Sequence, residues 1–158
     1  MAKIKLKDSR VGQFGGFSPF GNTTSLAYSI ATNAIGAVIG SDTNTAIASG
    51  DVIDLGELPE GMRLDDAQVF VTTAMTADVT GSLGFAYSDG VDHETVKQDA
   101  AYFVNAGALS AAARLRATGS KILTLPKPAR LILTTGGAAN AKASEITIVV
   151  SGELTGPR

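Results

Sequence analysis

The segment SEITIVVSGEL, residues 144–154, decides the class of the fold. Ile146, Ile148 and Val150 fall on one side, and Thr147, Val149 and Ser151 on the other. Successive side chains of an extended strand face opposite ways, so this period of two predicts a strand with one face buried. Upstream, residues 80–87 repeat the signature: Leu83, Phe85 and Tyr87 alternate with Ser82, Gly84 and Ala86, and Ser88, Asp89 and Gly90 supply a turn.

Further out, residues 51–58 place apolar and acidic or small residues largely in alternation, with a Val52–Ile53 step that reads as a bulge. Pro59, Glu60 and Gly61 make a turn, because proline pre-sets its own backbone angle and glycine accepts a positive one. A strand over 62–73 follows, with Leu64, Val69 and Val71 as core candidates, and the pair reads as connected antiparallel strands. Residues 24–31 and 34–39 are β-compatible runs, with Asn33 and residues 40–44 supplying turn residues. Strand signals return at 122–125 and 130–135, separated by Pro126, Lys127 and Pro128, which cannot sit inside a central ladder; Gly136 and Gly137 then open a loop. Between 92 and 118 two readings stay open: helical turns at 94–104 and 109–117 with Ser110 as an N-cap, or a long extended connection. Eight or so strands at this spacing predict an all-β chain, a jelly-roll or related antiparallel β-sandwich. A parallel sheet needs long helical crossovers.

The 158 residues are enough for one domain with one core. Hydrophobic residues make up 44% and charged residues 18%, so apolar surface is ample while charge is scarce. Two explanations fit the scarcity: neighbours cover part of the surface, or the domain is simply rich in Ala, Gly and Thr. With no cysteine there is neither a disulfide framework nor a thiolate metal site. No stretch approaches the ~20 consecutive apolar residues of a membrane span, and the first seven residues alternate charge with apolar residues where a signal peptide has an apolar run. Neither membrane insertion nor secretion by that route is expected.

Of 13 basic and 15 acidic side chains, Lys3, Lys5, Lys7 and Arg10 stand against Asp8 alone in residues 1–22, which makes the body acidic and the leader basic. Gly12, Gly15, Gly16, Pro19 and Gly21 interrupt regular structure there, with Phe14, Phe17 and Phe20 between them. Residues 1–22 therefore read as an extended N-terminal arm, with a short strand possible at 3–6, and residues 23–158 as the β-sandwich domain. The three phenylalanines either dock into grooves on a partner subunit or fold back onto the chain's own sheet.

The search for chemistry yields no catalytic residue, metal site or cofactor. His93 has no second His or Cys to complete a metal site, and Asp92 and Glu94 diverge from it. The pairs Asp51/Asp54 and Asp65/Asp66 do not fit a calcium loop and read as solvated turn ends. The glycines at 12, 15 and 16 lack the strand and helix of a dinucleotide fingerprint. Arg114, Arg116 and Lys121 form a small basic group, but four basic residues in an arm without a basic body make nucleic acid an unlikely partner.

The stretch 50–61 with its DVIDLGELPEG, the strand at 65–71, Tyr102–Phe103 with Leu109–Ser110, LPKPARLILTTGGA at 125–138 and ITIVVSGEL at 146–154 together resemble small structural proteins of tailed bacteriophages, the capsid decoration or cement proteins. The resemblance covers roughly the last two-thirds of the chain and carries no catalytic signature. It implies a jelly-roll-like, non-enzymatic virion protein, made in the host cytoplasm, that assembles as a homo-oligomer, typically a trimer, on the capsid exterior. The major capsid protein would be its partner. The positions carried over are the interface candidates Lys3, Lys5, Lys7, Arg10, Phe14, Phe17 and Phe20. Two alternatives are a carbohydrate- or receptor-binding sandwich, for which Tyr87, Tyr102 and Phe103 are the stacking candidates outside the arm, and another head or tail structural protein.

Overall fold

The computed structural model describes residues 3–5, 23–119 and 121–154. Among them are ten strands and no helix: β1 (Lys3–Lys5), β2 (Thr23–Thr32), β3 (Val52–Leu58), β4 (Met62–Thr73), β5 (Val79–Tyr87), β6 (Asp99–Ala108), β7 (Ala113–Arg116), β8 (Leu123–Thr124), β9 (Ala129–Gly137) and β10 (Ser144–Leu154). One sheet has the order β1-β3-β9-β5-β6 and the other β2-β10-β4-β7, with β8 pairing β4 beside β7. The pairing is nested: β2 with β10, β3 with β9, β4 with β7 and β8, β5 with β6. A long antiparallel hairpin rolled up on itself produces this order, which is the jelly-roll form of the sandwich. Among the described strands only β1, alongside β3, pairs in parallel.

The two sheets share one core. In β2 the buried residues alternate without a break, and Leu26, Tyr28 and Ile30 point inward. Opposite them stand Leu83 and Phe85 of β5 and Leu131 and Leu133 of β9, with Val69, Val71, Ile146 and Ile148 completing the second sheet. Each such side chain contributes roughly 1.5–3 kcal/mol by leaving water.

Two strands keep their apolar residues inward only by changing phase. In β3, Ile53 and Leu58 are both fully buried although an odd number of steps separates them. The ladder to β9 skips Leu55, pairing Asp54 with Ile132 and then Gly56 with Leu131. This is the bulge expected from the sequence, displaced from Val52–Ile53 to Leu55, and it returns Leu58 to the core. Gly56 then lies beneath the Tyr28 ring, where an added Cβ would come within 2.7 Å of Tyr28 Cε1. In β4 the ladder to β10 skips Asp65, so that Met62 and Leu64 before the bulge and Ala67, Val69 and Val71 after it all face inward.

One open reading is decided and two expectations need correction. Of the two readings of residues 92–118 the extended one holds: β6 and β7 occupy most of this range, because the chance to pair with β5 and β4 outweighs the helix preference of the alanines, and Ser110 caps nothing. Residues 34–39 form a turn with isolated bridges, not a strand. Asn33 sets it, its side chain accepting from the Ile35 and Ala37 amides at 3.1 and 3.0 Å. Gly136 and Gly137 end β9 instead of opening a loop, pairing with Thr80 and Val79.

One end of the sandwich is tied by Asn140, which is 0% exposed. Its Oδ1 accepts from the Thr76 amide (3.1 Å) and hydroxyl (3.2 Å), and its Nδ2 donates to Thr32 Oγ1 (3.2 Å) and the Lys142 carbonyl (2.9 Å). Its own amide donates to the Ile47 carbonyl at 2.9 Å. The end of β2, the 33–51 connection, the β4–β5 connection and the start of β10 thus converge on one amide side chain. Leaving such buried partners unsatisfied costs about 1–3 kcal/mol each. Asn140→Ala is therefore expected to lower unfolding free energy by about 3 kcal/mol in urea titration, against a change within about 0.5 kcal/mol for the exposed Ile35→Ser. Equal losses for the two variants would contradict the role given to Asn140.

Candidate assembly surface

Of the leader positions singled out in the sequence, Lys3 and Lys5 lie on β1, while Lys7, Arg10, Phe14, Phe17 and Phe20 lie outside the described residues. Between the two lysines, Ile4 is fully buried and belongs to the main core. β1 lies in register along β3, with Lys3 opposite Val52, Ile4 opposite Ile53 and Lys5 opposite Asp54. The strand β2 faces β3 across the core, since Tyr28 of β2 sits over Gly56 of β3. Sequence reading had no means to tell Ile4 from an arm residue, because one isoleucine between lysines has no period.

The acidic pairs do not converge. Asp51 accepts from the Ala48 amide at 2.8 Å and so closes a turn. Asp54, with its side chain 3% exposed, takes both Nε (2.9 Å) and Nη2 (2.8 Å) of Arg130, and the same guanidinium reaches Glu57 at 3.1 Å. Both contacts end on Oδ1, so one carboxylate oxygen is shared by two guanidinium nitrogens. Asp65 and Asp66 sit at a mid-strand bulge, not at a turn end as expected, and each is held by a different arginine: Arg63 at 2.6 Å and Arg116 at 2.6 Å. Arg114 lies over the Phe70 ring at 4.5 Å. Among the described residues, no three His, Cys, Asp or Glu side chains come together as a metal site would require. His93 is in a loop, bonded to Thr95 at 3.1 Å.

The aromatic candidates for sugar stacking are used internally. Phe103 is buried, Tyr87 is buried with its hydroxyl donating to the Val96 carbonyl at 2.7 Å, and Lys127 covers the Tyr87 ring at 4.5 Å. Tyr102 meets Phe85 and Phe103 edge-on at 5.7 and 4.8 Å, and its hydroxyl donates to the Lys121 carbonyl. The cleft between Gly61, Val96 and Leu125 encloses about 220 Å³, less than the ~300 Å³ at which small-molecule sites begin. Large apolar side chains do stand in the open elsewhere: Ile35 and Ile39 around the Asn33 turn, Val91, and Ile122 before β8, each at 60–66% exposure. Sequence reading missed the first two because it placed them on a strand.

Charge on this surface is set by local partners. The Lys127 ammonium holds the Asp89 carboxyl below its usual value through a direct hydrogen bond. Burial pushes the Tyr28 hydroxyl up to about 12, opposed by the nearby Arg130 and reinforced by Asp54.

The class defined by this geometry is a jelly-roll sandwich with its polar side chains committed to structural partners. No protein-family model matches the sequence, and no curated protein matches it. The fold, however, is that of a chain in the capsid of Ralstonia phage GP4: TM-score 0.65 and 16% identity, over 98% of this chain and 99% of that one. A chain of the cyanophage Pam1 capsid asymmetric unit aligns with TM-score 0.58 and 14% identity, over 93% and 94%. At these identities the likeness is one of fold, end to end.

Tyr28 gives a pH test of the interior. An unfolded tyrosine ionises near 10, whereas the folded one keeps its proton to about 12. The folded state therefore holds the extra proton between those values, and stability that is complete below pH 10 is lost as pH rises toward 12. Urea midpoints of the native protein are expected to fall across that window more steeply than those of Tyr28→Phe, by up to about 2–3 kcal/mol. The phenylalanine variant gives up only a long 3.5 Å contact to the Glu57 carbonyl and keeps its fold. Parallel pH profiles would refute the assignment.

Proposed function

We propose that this chain is a non-enzymatic structural protein of a bacteriophage virion, which binds the outer surface of the capsid and stabilises it. The observation that carries this reading is the end-to-end match of its fold to two phage capsid chains, with no inserted or missing domain on either side. The residues support it as well. The carboxylates that suggested chemistry are spent on arginines and turns, and the aromatics that suggested sugar binding are spent on packing. A second reading as another head or tail component shares the fold evidence. Of the stacking candidates for the carbohydrate-binding reading, Tyr87 and Phe103 are buried, and the half-buried Tyr102 packs edge-on against Phe85 and Phe103.

In the leading reading the body assembles as a trimer, and the leader reaches the major capsid protein. Lys7, Arg10, Phe14, Phe17 and Phe20 form its contact set, the cations steering it and the rings anchoring it. Three leaders on one particle bind together, so individually weak anchors gain roughly 10²-fold or more in effective affinity. A variant with Phe14, Phe17 and Phe20 all changed to Ala leaves every described core residue in place. It is expected to keep the native melting temperature and a light-scattering mass of three protomers, while co-sedimentation with expanded empty heads falls roughly 100-fold. Undiminished co-sedimentation would overturn the assignment of the leader.

A further inference from the structure

We infer that β1 is exchanged between copies: Lys3–Lys5 of one protomer lies along β3 of its neighbour and delivers Ile4 into that neighbour's core. The inference rests on the homo-oligomeric reading above and names the contact that makes it. The receiving edge comes first. Without β1, the seven-residue β3 would be the outermost strand of its sheet, with its ladder groups open and the buried Ile53 and Leu55 directly behind them. An edge of this kind is a template for a strand from another chain. Ile4, fully buried, is the plug that completes it.

The donor is not tied to its own body by the contact itself. Every other pairing among the described strands is antiparallel, whereas β1 runs parallel to β3 over three residue pairs. No hairpin fixes which copy supplies it, and parallel pairing is somewhat weaker per residue. Seventeen residues, 6–22, separate β1 from β2. Two packed sheets stand ~10 Å apart, and β2 faces β3 across the core. A return within one chain must also run along the five residues of β2 that precede Tyr28, yet seventeen residues extend as far as ~56 Å at ~3.3 Å each, more than that path needs. Long connections in compact domains usually have a function, and the surplus here is enough to reach the same edge on a neighbour. Leader and body also carry opposite net charge, which draws a leader to any body of this kind. A head-to-tail exchange closes on itself in a cyclic oligomer, so it is compatible with a ring of three.

The chain has no cysteine, so an engineered pair reports without background. Lys3 and Val52 are partners across neighbouring strands, a separation within disulfide reach. The purified full-length protein carrying Lys3→Cys and Val52→Cys is oxidised and run on a non-reducing gel. Exchange predicts covalent dimers and trimers that reduction returns to one band. In a second sample, the Lys3→Cys and Val52→Cys single variants are mixed. No intrachain bond can form there, and a covalent heterodimer is expected. Adding Ile4→Asp to either sample is expected to abolish the cross-link while circular dichroism keeps the β signal of the body. A bond confined to the monomer band, or no bond at all, overturns the inference. Co-sedimentation with heads is measured on the same protein, so an intrachain bond in a head-binding protein removes the exchange and leaves the capsid reading standing.

Discussion

Everything in this fold depends on keeping alternate side chains pointed at the same dry interior. Two sheets can bury one core only while each strand holds its phase, and a slip of one residue turns an apolar face out to water. β2 keeps phase over ten residues without interruption. β3 and β4 cannot: β3 skips Leu55 against β9, and β4 skips both Asp65 and Thr72 against β10. The bulges shape the surface as well as the core. At Asp65 the extra residue puts two carboxylates side by side on the outer face, and Arg63 and Arg116 then hold them apart. At Leu55 it brings Gly56 beneath Tyr28, where the missing side chain makes room for the ring of the opposite sheet.

The same constraint explains where the polar energy is placed. Exposed ion pairs contribute little, typically under ~1 kcal/mol, so the pairs of Arg63 and Arg116 serve register more than stability. The buried Asp54 differs, because its ion pair with Arg130 lies inside the protein, where removing one partner costs far more than at the surface. Asn140 performs the corresponding task with neutral groups. Jelly-roll ends are made of connections, whose amides and carbonyls have no ladder to satisfy them. One buried amide that serves four such segments closes the end without a metal or a disulfide.

How much of this was legible in the sequence follows from where the period of two survives. β5 and β10 alternate cleanly and were readable almost to the residue, as was the turn at Pro59–Gly61. β6 was not, since its ladder to β5 shifts register twice and its buried residues, Phe103 and Val104, are adjacent instead of alternate. Ala106 also takes a positive backbone angle, φ 47°, which no sequence rule assigns to alanine. The Leu55 bulge was expected but misplaced, because the Val–Ile step draws the eye while the ladder partners that decide the position, Leu131 and Ile132, are distant in the chain. Asn140 lies in a polar, glycine-rich stretch that reads as surface. Its burial depends on Thr32 and Thr76, which only the fold brings to it.

The core and its edge cover come from separate parts of this chain. Strands β2 to β10 supply the described core, with Ile4 the one contribution from the described part of residues 1–22. Removing the short β1 would leave strands β2 to β10 in place and uncover the outer edge of β3. The separation has a physical cost. An edge strand such as β3 must be covered by something at all times, and a covering piece held by three residue pairs is the smallest that still buries a plug.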